Sequence, residues 1–283
     1  MSTIAAKARP GPVHVTVSDL ARSVDYYRDA VGLEVLEPGA GRASLGSGGT
    51  ELLVLVEELG ARPARGYTGL YHFALLVPER VQLAAWLAHA AREGVPLVGL
   101  SDHDVSEALY LADPDGHGIE IYRDRPREIW EGHVGERLTT MPLDVDDLLA
   151  ELDDPASAPF DGLPAATTMG HVHLKVSDIP TSVGFYRDVL GFDLTAQLGT
   201  QAAFLSAGGY HHHVGANTWE SAGAPPAPAG TAALRHAIVV LPDTAARDEV
   251  IGRIDAADIP VEDHEGDPLV RDPSRNALVL RVA

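Results

Sequence analysis

Val13, Val15 and Val17 alternate with polar or ambivalent positions, the period of a strand buried on one face. The period then changes. Ser18-Asp19 supplies an N-cap for a helix through Tyr26, Tyr27 and Ala30, and Gly32 supplies its stop. Val35-Leu36 resumes an extended pattern, and Glu51–Val56 follows Gly48-Gly49 as a further strand. Residues 172–195 repeat residues 13–36, with eleven of 24 positions identical at an offset of 159. A repeat of this strength sets the architecture before any single residue is considered.

Residues 70–122 follow the same grammar in a second form. Strand Tyr71–Val77 leads through Pro78 to a helical run (Val81, Leu83, Ala84, Leu87, Ala88, Ala91) that stops at Gly94. Strands are predicted near Val95–Val98, Ala108–Leu111 and Gly118–Tyr122. Residues 234–282 repeat this form with strand Arg235–Leu241, helix Ala245–Ala256 and strand Ala277–Val282. The chain therefore reads as α+β, four βαβββ modules paired into two barrel-like cups. The modules fall at 10–60, 68–125, 169–220 and 231–283. A linker at 126–168, rich in Asp, Pro and Ala, joins modules two and three and carries a short helix at Val145–Leu152. The Pro/Ala/Gly-rich stretch Ala222–Gly230 reads as a flexible loop.

Composition narrows the class. The 283 residues hold 45% hydrophobic and 22% charged side chains, the balance of a soluble globular protein. No apolar run has the length of a membrane span, and the segment Met1–Pro10 has no apolar region of the secretory kind. There is no cysteine, which excludes disulfides, thiolate metal sites and a Cys nucleophile, and which fits a cytoplasmic location. A formal charge of −20 argues against nucleic acid and anionic membranes as partners.

The chemistry-bearing residues are unevenly shared among the modules. At the head of the first strand, module two has His72, module three His171 and module four His236, where module one has Pro12. In the last strand, module two has Glu120, module four Val279, and module three the run His211-His212-His213. Pairing module two with module three gathers His72, Glu120 and His171, two imidazoles and a carboxylate, with a histidine of the run alongside. That donor set suits iron and leaves coordination positions free. Pairing in chain order leaves either one His with one carboxylate or two His with none. An inner pair (two with three) and an outer pair (one with four) follow, within one chain or swapped between two chains of a homo-oligomer.

The frame His-x-x-Leu-x-Val-Ser-Asp, the Phe/Tyr-Tyr-Arg-Asp-x-x-Gly helix and the Asp-Pro-Asp-Gly-x-x-x-Glu strand resemble the vicinal oxygen chelate superfamily. That superfamily includes glyoxalase I, bleomycin-resistance proteins and type I extradiol dioxygenases. Longer strings, Gly69–Ala74, Asp102–Leu111 and Gly208–His213, are most similar to two-domain catechol 2,3-dioxygenases of the bacillary type. The resemblance implies the glyoxalase/dioxygenase fold and extradiol cleavage of catechol or a related dihydroxy aromatic with O2. It implies Fe(II), with Mn(II) as the other ion, on His72, Glu120 and His171. It further implies a proton-transferring His in the 211–213 run, best aligned at His212, and supporting roles for Tyr110, ten residues before Glu120, and for His103, seven before Tyr110.

Other readings stand beside this one. His14, His89, His236 and His264 read as structural histidines, and Asp113-Pro114-Asp115-Gly116 reads as a turn without chemistry. Trp219 and Asn217 line a pocket or pack in the core. A glyoxalase-like lyase or epimerase would use the same ligands but has no need of Tyr110 and His103. A metal-free protein that binds an aromatic drug would not need His72, His171 and Glu120 together.

Overall fold

Each module starts its helix with an aspartate or glutamate cap. The Asp19 side chain accepts the amide of Arg22, Asp178 that of Thr181 and Asp243 that of Ala246, while Gln82 reaches back to the amide of Glu79. These caps satisfy donors that the first helical turn leaves orphaned. The computed structural model describes residues 3–283, so Met1 and Ser2 of the N-terminal segment lie outside it.

Module one comprises β1 (Arg9–Val17), α1 (Leu20–Tyr26), β2 (Glu34–Gly39), β3 (Arg42–Ser47) and β4 (Thr50–Glu57). Module two comprises β5 (Gly69–Leu76), α2 (Arg80–Glu93), β6 (Gly99–Asp102), β7 (Ser106–Ala112) and β8 (Gly118–Asp124). Module three comprises β9 (Thr168–Lys175), α3 (Ile179–Val183), β10 (Asp193–Leu198), β11 (Ala202–Ser206) and β12 (Val214–Asn217). Module four comprises β13 (Leu234–Leu241), α4 (Thr244–Ala256), β14 (Val261–His264), β15 (Asp267–Arg271) and β16 (Ala277–Val282).

Two large sheets result. The inner one runs β6-β7-β8-β5-β9-β12-β11-β10, with the short strand Met141–Pro142 added at the β6 edge. The outer one runs β14-β15-β16-β13-β1-β4-β3-β2. Modules two and three are thus joined through antiparallel β5 and β9, and modules one and four through β1 and β13, all within one chain. Each sheet curls into a half-barrel. Odd positions of β1 (Val13, Val15, Val17) turn toward a single core that both sheets share, together with Phe73 and Leu75 of β5. The even positions are left to face the concave side.

The Asp-Pro-Asp-Gly turn fastens modules together. Tyr27 donates to Asp113 at 3.0 Å, and Asp113 also accepts the amides of Asp115 and His117. Tyr186 makes the equivalent bond to Asp272 at 3.0 Å. One expectation needs correction. The strand expected at Val95–Val98 forms instead at Gly99–Asp102, where it pairs with β7 and is shielded by the linker. The linker packs into the fold: Trp130 is 1% exposed and packs with Val105, Val134 and Tyr210.

Candidate active site

β5 and β9 run side by side at the centre of the inner sheet, and their register puts His173 opposite His72 and His171 opposite Ala74. β8 lies on the far side of β5, with Glu120 opposite Ala74. Three strands therefore aim His72, Glu120 and His171 at one point of the concave face. His72 Nε2 lies 3.0 Å from Glu120 Oε2. His171 Nε2 lies 3.1 Å from the same oxygen, and the two imidazole nitrogens are 3.3 Å apart.

Glycine makes this close approach feasible. A Cβ on Gly118 would stand 2.1 Å from the Tyr71 carbonyl and 3.0 Å from His72 Cβ, and one on Gly170 would strike the Tyr122 hydroxyl at 1.8 Å.

All three side chains are buried. Burial alone would push the Glu120 carboxyl up, but the charges and hydrogen bonds of His171 and His72 outweigh it and hold the group well below the usual carboxylate range. Burial lowers His171, opposed by Glu120. A carboxylate and two imidazoles, with their donor atoms within 4.8 Å of one another, are a donor set that fits a divalent transition metal. The outer sheet has no such set at the matching place. There His14 stacks on His236 at 4.0 Å and Val279 stands where Glu120 would be.

The floor of this cluster opens into a cavity of about 760 Å³. Tyr110 stands on β7 directly opposite Glu120 on β8. Its hydroxyl is 2.7 Å from His103 Nε2. The other ring nitrogen of His103, Nδ1, is 2.6 Å from the carbonyl of Thr139. That carbonyl can only accept, so His103 donates to it from Nδ1 and turns Nε2 to the Tyr110 hydroxyl, which can act as donor or acceptor. Burial and the charge of Glu120 push the Tyr110 phenol well up.

His212 lines the opposite wall, its ring 4.2 Å from that of His171. Burial, then the neighbouring His171 and His211, hold it well below its usual range. The His211–His213 run does not lie on a strand as expected. It occupies the turn before β12 and so escapes strand alternation, and both His211 and His212 are buried. His213 points away, accepting the amide of Ala207.

Two contributors escaped the sequence reading. His173 is 3% exposed, 4.9 Å from the His72 ring, and its Nε2 has no partner. The pair His171-x-His173 has the period of one strand face and could have revealed it. The linker also supplies cavity wall at Leu138, Thr139 and Thr140, which no local pattern announced. Trp219 does line the cavity, 5.3 Å from Tyr71. Asn217 is buried behind it, accepting the amide of Trp219.

The four-module chain has counterparts among known proteins. The sequence model of the glyoxalase/bleomycin resistance protein/dioxygenase superfamily matches residues 9–121 and 168–279. The chain belongs to that superfamily. It is 40% identical over its whole length to catechol-2,3-dioxygenase of Bacillus subtilis, which it also covers completely. It is 27% identical to metallothiol transferase FosB of Staphylococcus epidermidis over 38% of this chain and 80% of that protein. Glyoxalase I from Zea mays has the same fold, with a TM-score of 0.57 at 16% identity over 97% of this chain and 92% of that one. The full-length kinship makes this chain an enzyme of the dioxygenase branch of the superfamily. Among the described residues, no helix is long and apolar enough to cross a membrane.

Proposed function

We propose that the inner cup is the active site of an extradiol ring-cleaving dioxygenase acting on catechol or a related dihydroxy aromatic, with Fe(II) as metal and O2 as co-substrate. The observation that carries the reading is the convergence of His72, Glu120 and His171 at the floor of a cavity whose walls present Tyr110, His103 and His212. When bound at these three groups, a ferrous ion would chelate both diol oxygens and bring dioxygen to the same centre, with Mn(II) suited to the same donors.

The chain's own residues do the rest. His212, beside His171, takes the second phenolic proton and returns it as the ring opens. Tyr110, backed by His103, hydrogen-bonds a substrate oxygen where negative charge develops. The apolar walls contributed by Leu138, Phe204 and Trp219 hold the ring and limit water. The C–C bond beside the diol breaks and both oxygen atoms enter the product. One chain supplies every one of these groups, and the absence of cysteine leads us to assign the enzyme to the cytoplasm.

The test is anaerobic loading with Fe(II), then addition of catechol and oxygen. A yellow ring-opened product with matching oxygen uptake is expected. No uptake with any diol, alongside turnover of a hemithioacetal, would replace this reading with the lyase.

A further inference from the structure

Glu120, Tyr122 and Asp124 fall on one face of β8 by strand alternation, and the last of them has no part in the cluster above. Asp124 reaches the histidine run from behind. Its Oδ1 accepts His211 Nε2 at 2.9 Å and the Tyr210 hydroxyl at 3.1 Å. The Tyr210 hydroxyl is itself 2.7 Å from that of Tyr122. His211 is fully buried, clamped between the Tyr210 ring at 4.0 Å and the edge of Trp130 at 5.5 Å. Its other nitrogen, Nδ1, lies 2.8 Å from Nδ1 of His212.

These contacts leave one consistent arrangement of protons for neutral rings. A carboxylate only accepts, so His211 donates from Nε2. A neutral imidazole has a single N–H, so His211 Nδ1 is a lone pair. The 2.8 Å contact is then a hydrogen bond only if His212 donates from its own Nδ1. That places the remaining lone pair of His212 on Nε2.

We infer that Asp124 and His211 are positioning residues, a hydrogen-bonded relay that fixes His212 in its Nδ1–H tautomer with Nε2 ready to accept a proton from the diol. The inference rests on the reading of His212 as the proton-transferring group. Without the relay either tautomer is accessible, and an Nε2–H tautomer has no lone pair to offer at that nitrogen. The relay also explains why two histidines are spent where one does the chemistry.

The experiment reads the tautomer directly, in metal-free protein labelled with ¹⁵N-histidine, using long-range proton–nitrogen correlations assigned by the loss of signals in His212→Phe. His212 is expected to show a protonated Nδ1 and an unprotonated Nε2. In Asp124→Asn, whose amide can present either N–H or C=O to His211, His212 should become a mixture of tautomers. With iron loaded, Asp124→Asn should lower kcat by about 10- to 100-fold, less than the roughly 100- to 10,000-fold scale of removing the proton-transfer group itself, with KM and iron content nearly unchanged. Asp124→Glu should recover part of the loss. A wild-type His212 protonated on Nε2, a doubly protonated His211, or an Asp124→Asn protein with unchanged tautomer and kcat would each overturn the relay. If the tautomer is as stated but the iron-loaded protein cleaves no diol, the dioxygenase reading fails and the relay stands.

Discussion

Tyr110 faces Glu120 across the β7–β8 pair, and its hydroxyl is held 2.7 Å from His103 Nε2. The pairing puts a hydrogen-bonding group beside the carboxylate of the proposed metal site, outside the two-His, one-carboxylate cluster itself. Tyr110→Phe should therefore bind iron like the wild type and cleave catechol about 10- to 1,000-fold more slowly, the scale of losing one positioned donor. Steady-state kinetics with iron analysis on the same samples decides this. A wild-type rate would remove Tyr110 from the mechanism.

The two sheets make opposite predictions for histidines at matching places. His72 belongs to the buried His/Glu cluster, whereas His236 stacks on His14 with no carboxylate opposite. His72→Ala should lose nearly all bound metal after reconstitution, and His236→Ala should retain it. Elemental analysis reads both. Metal lost from the His236 variant would relocate the centre to the outer cup.

Glu107 ties the linker to module two. It is 2% exposed and paired with Arg123 at 2.6 Å and Arg80 at 2.9 Å, and Arg80 continues to Asp147 and Glu151. Removing one partner strands buried charge. Glu107→Ala should cost about 3–5 kcal/mol of stability in denaturant melts. Loss of under about 1 kcal/mol, the scale of an exposed pair, would show that the cluster is solvated.

The outer cup gives a pH dependence. Burial, then His236 and Arg42, lower His14 to about 2; burial, then His264 and Arg235, lower His236 to about 3. Both titrate near about 6.5 in an unfolded chain. Between these values the unfolded state holds more protons, so stability is full above about pH 6.5 and falls as the pH drops toward the folded values. Each ring adds a slope approaching about 1.4 kcal/mol per pH unit. Melting of the metal-free protein from pH 7 to 5 should show this loss, and the double variant His14→Phe, His236→Phe should flatten it. An unchanged slope would mean that the rings are protonated in the fold.

By itself the sequence determined the four-module repeat, the α+β class and the inner pairing of modules. Its signals there are local or chemical: alternation in β1 and β9, the Asp19 cap, and the unequal distribution of His and Glu among like strands. Where a residue's placement depends on its own strand, as for His72, Glu120 and His171, the pattern could be read from the chain. Tertiary structure alone decided the rest. The His211–His213 run lies in a turn, where period-two logic does not apply, so only packing against Trp130 and Tyr210 sets which ring faces the cavity. Asp124 and His211 are 87 residues apart, and His103 and Thr139 are 36 apart. Each such contact is made across elements that meet only after the sheet has curled. A hydrogen bond between them leaves no periodic trace, because its geometry is fixed by the register of β5 on β9 and by a linker in which no local pattern announces the contact.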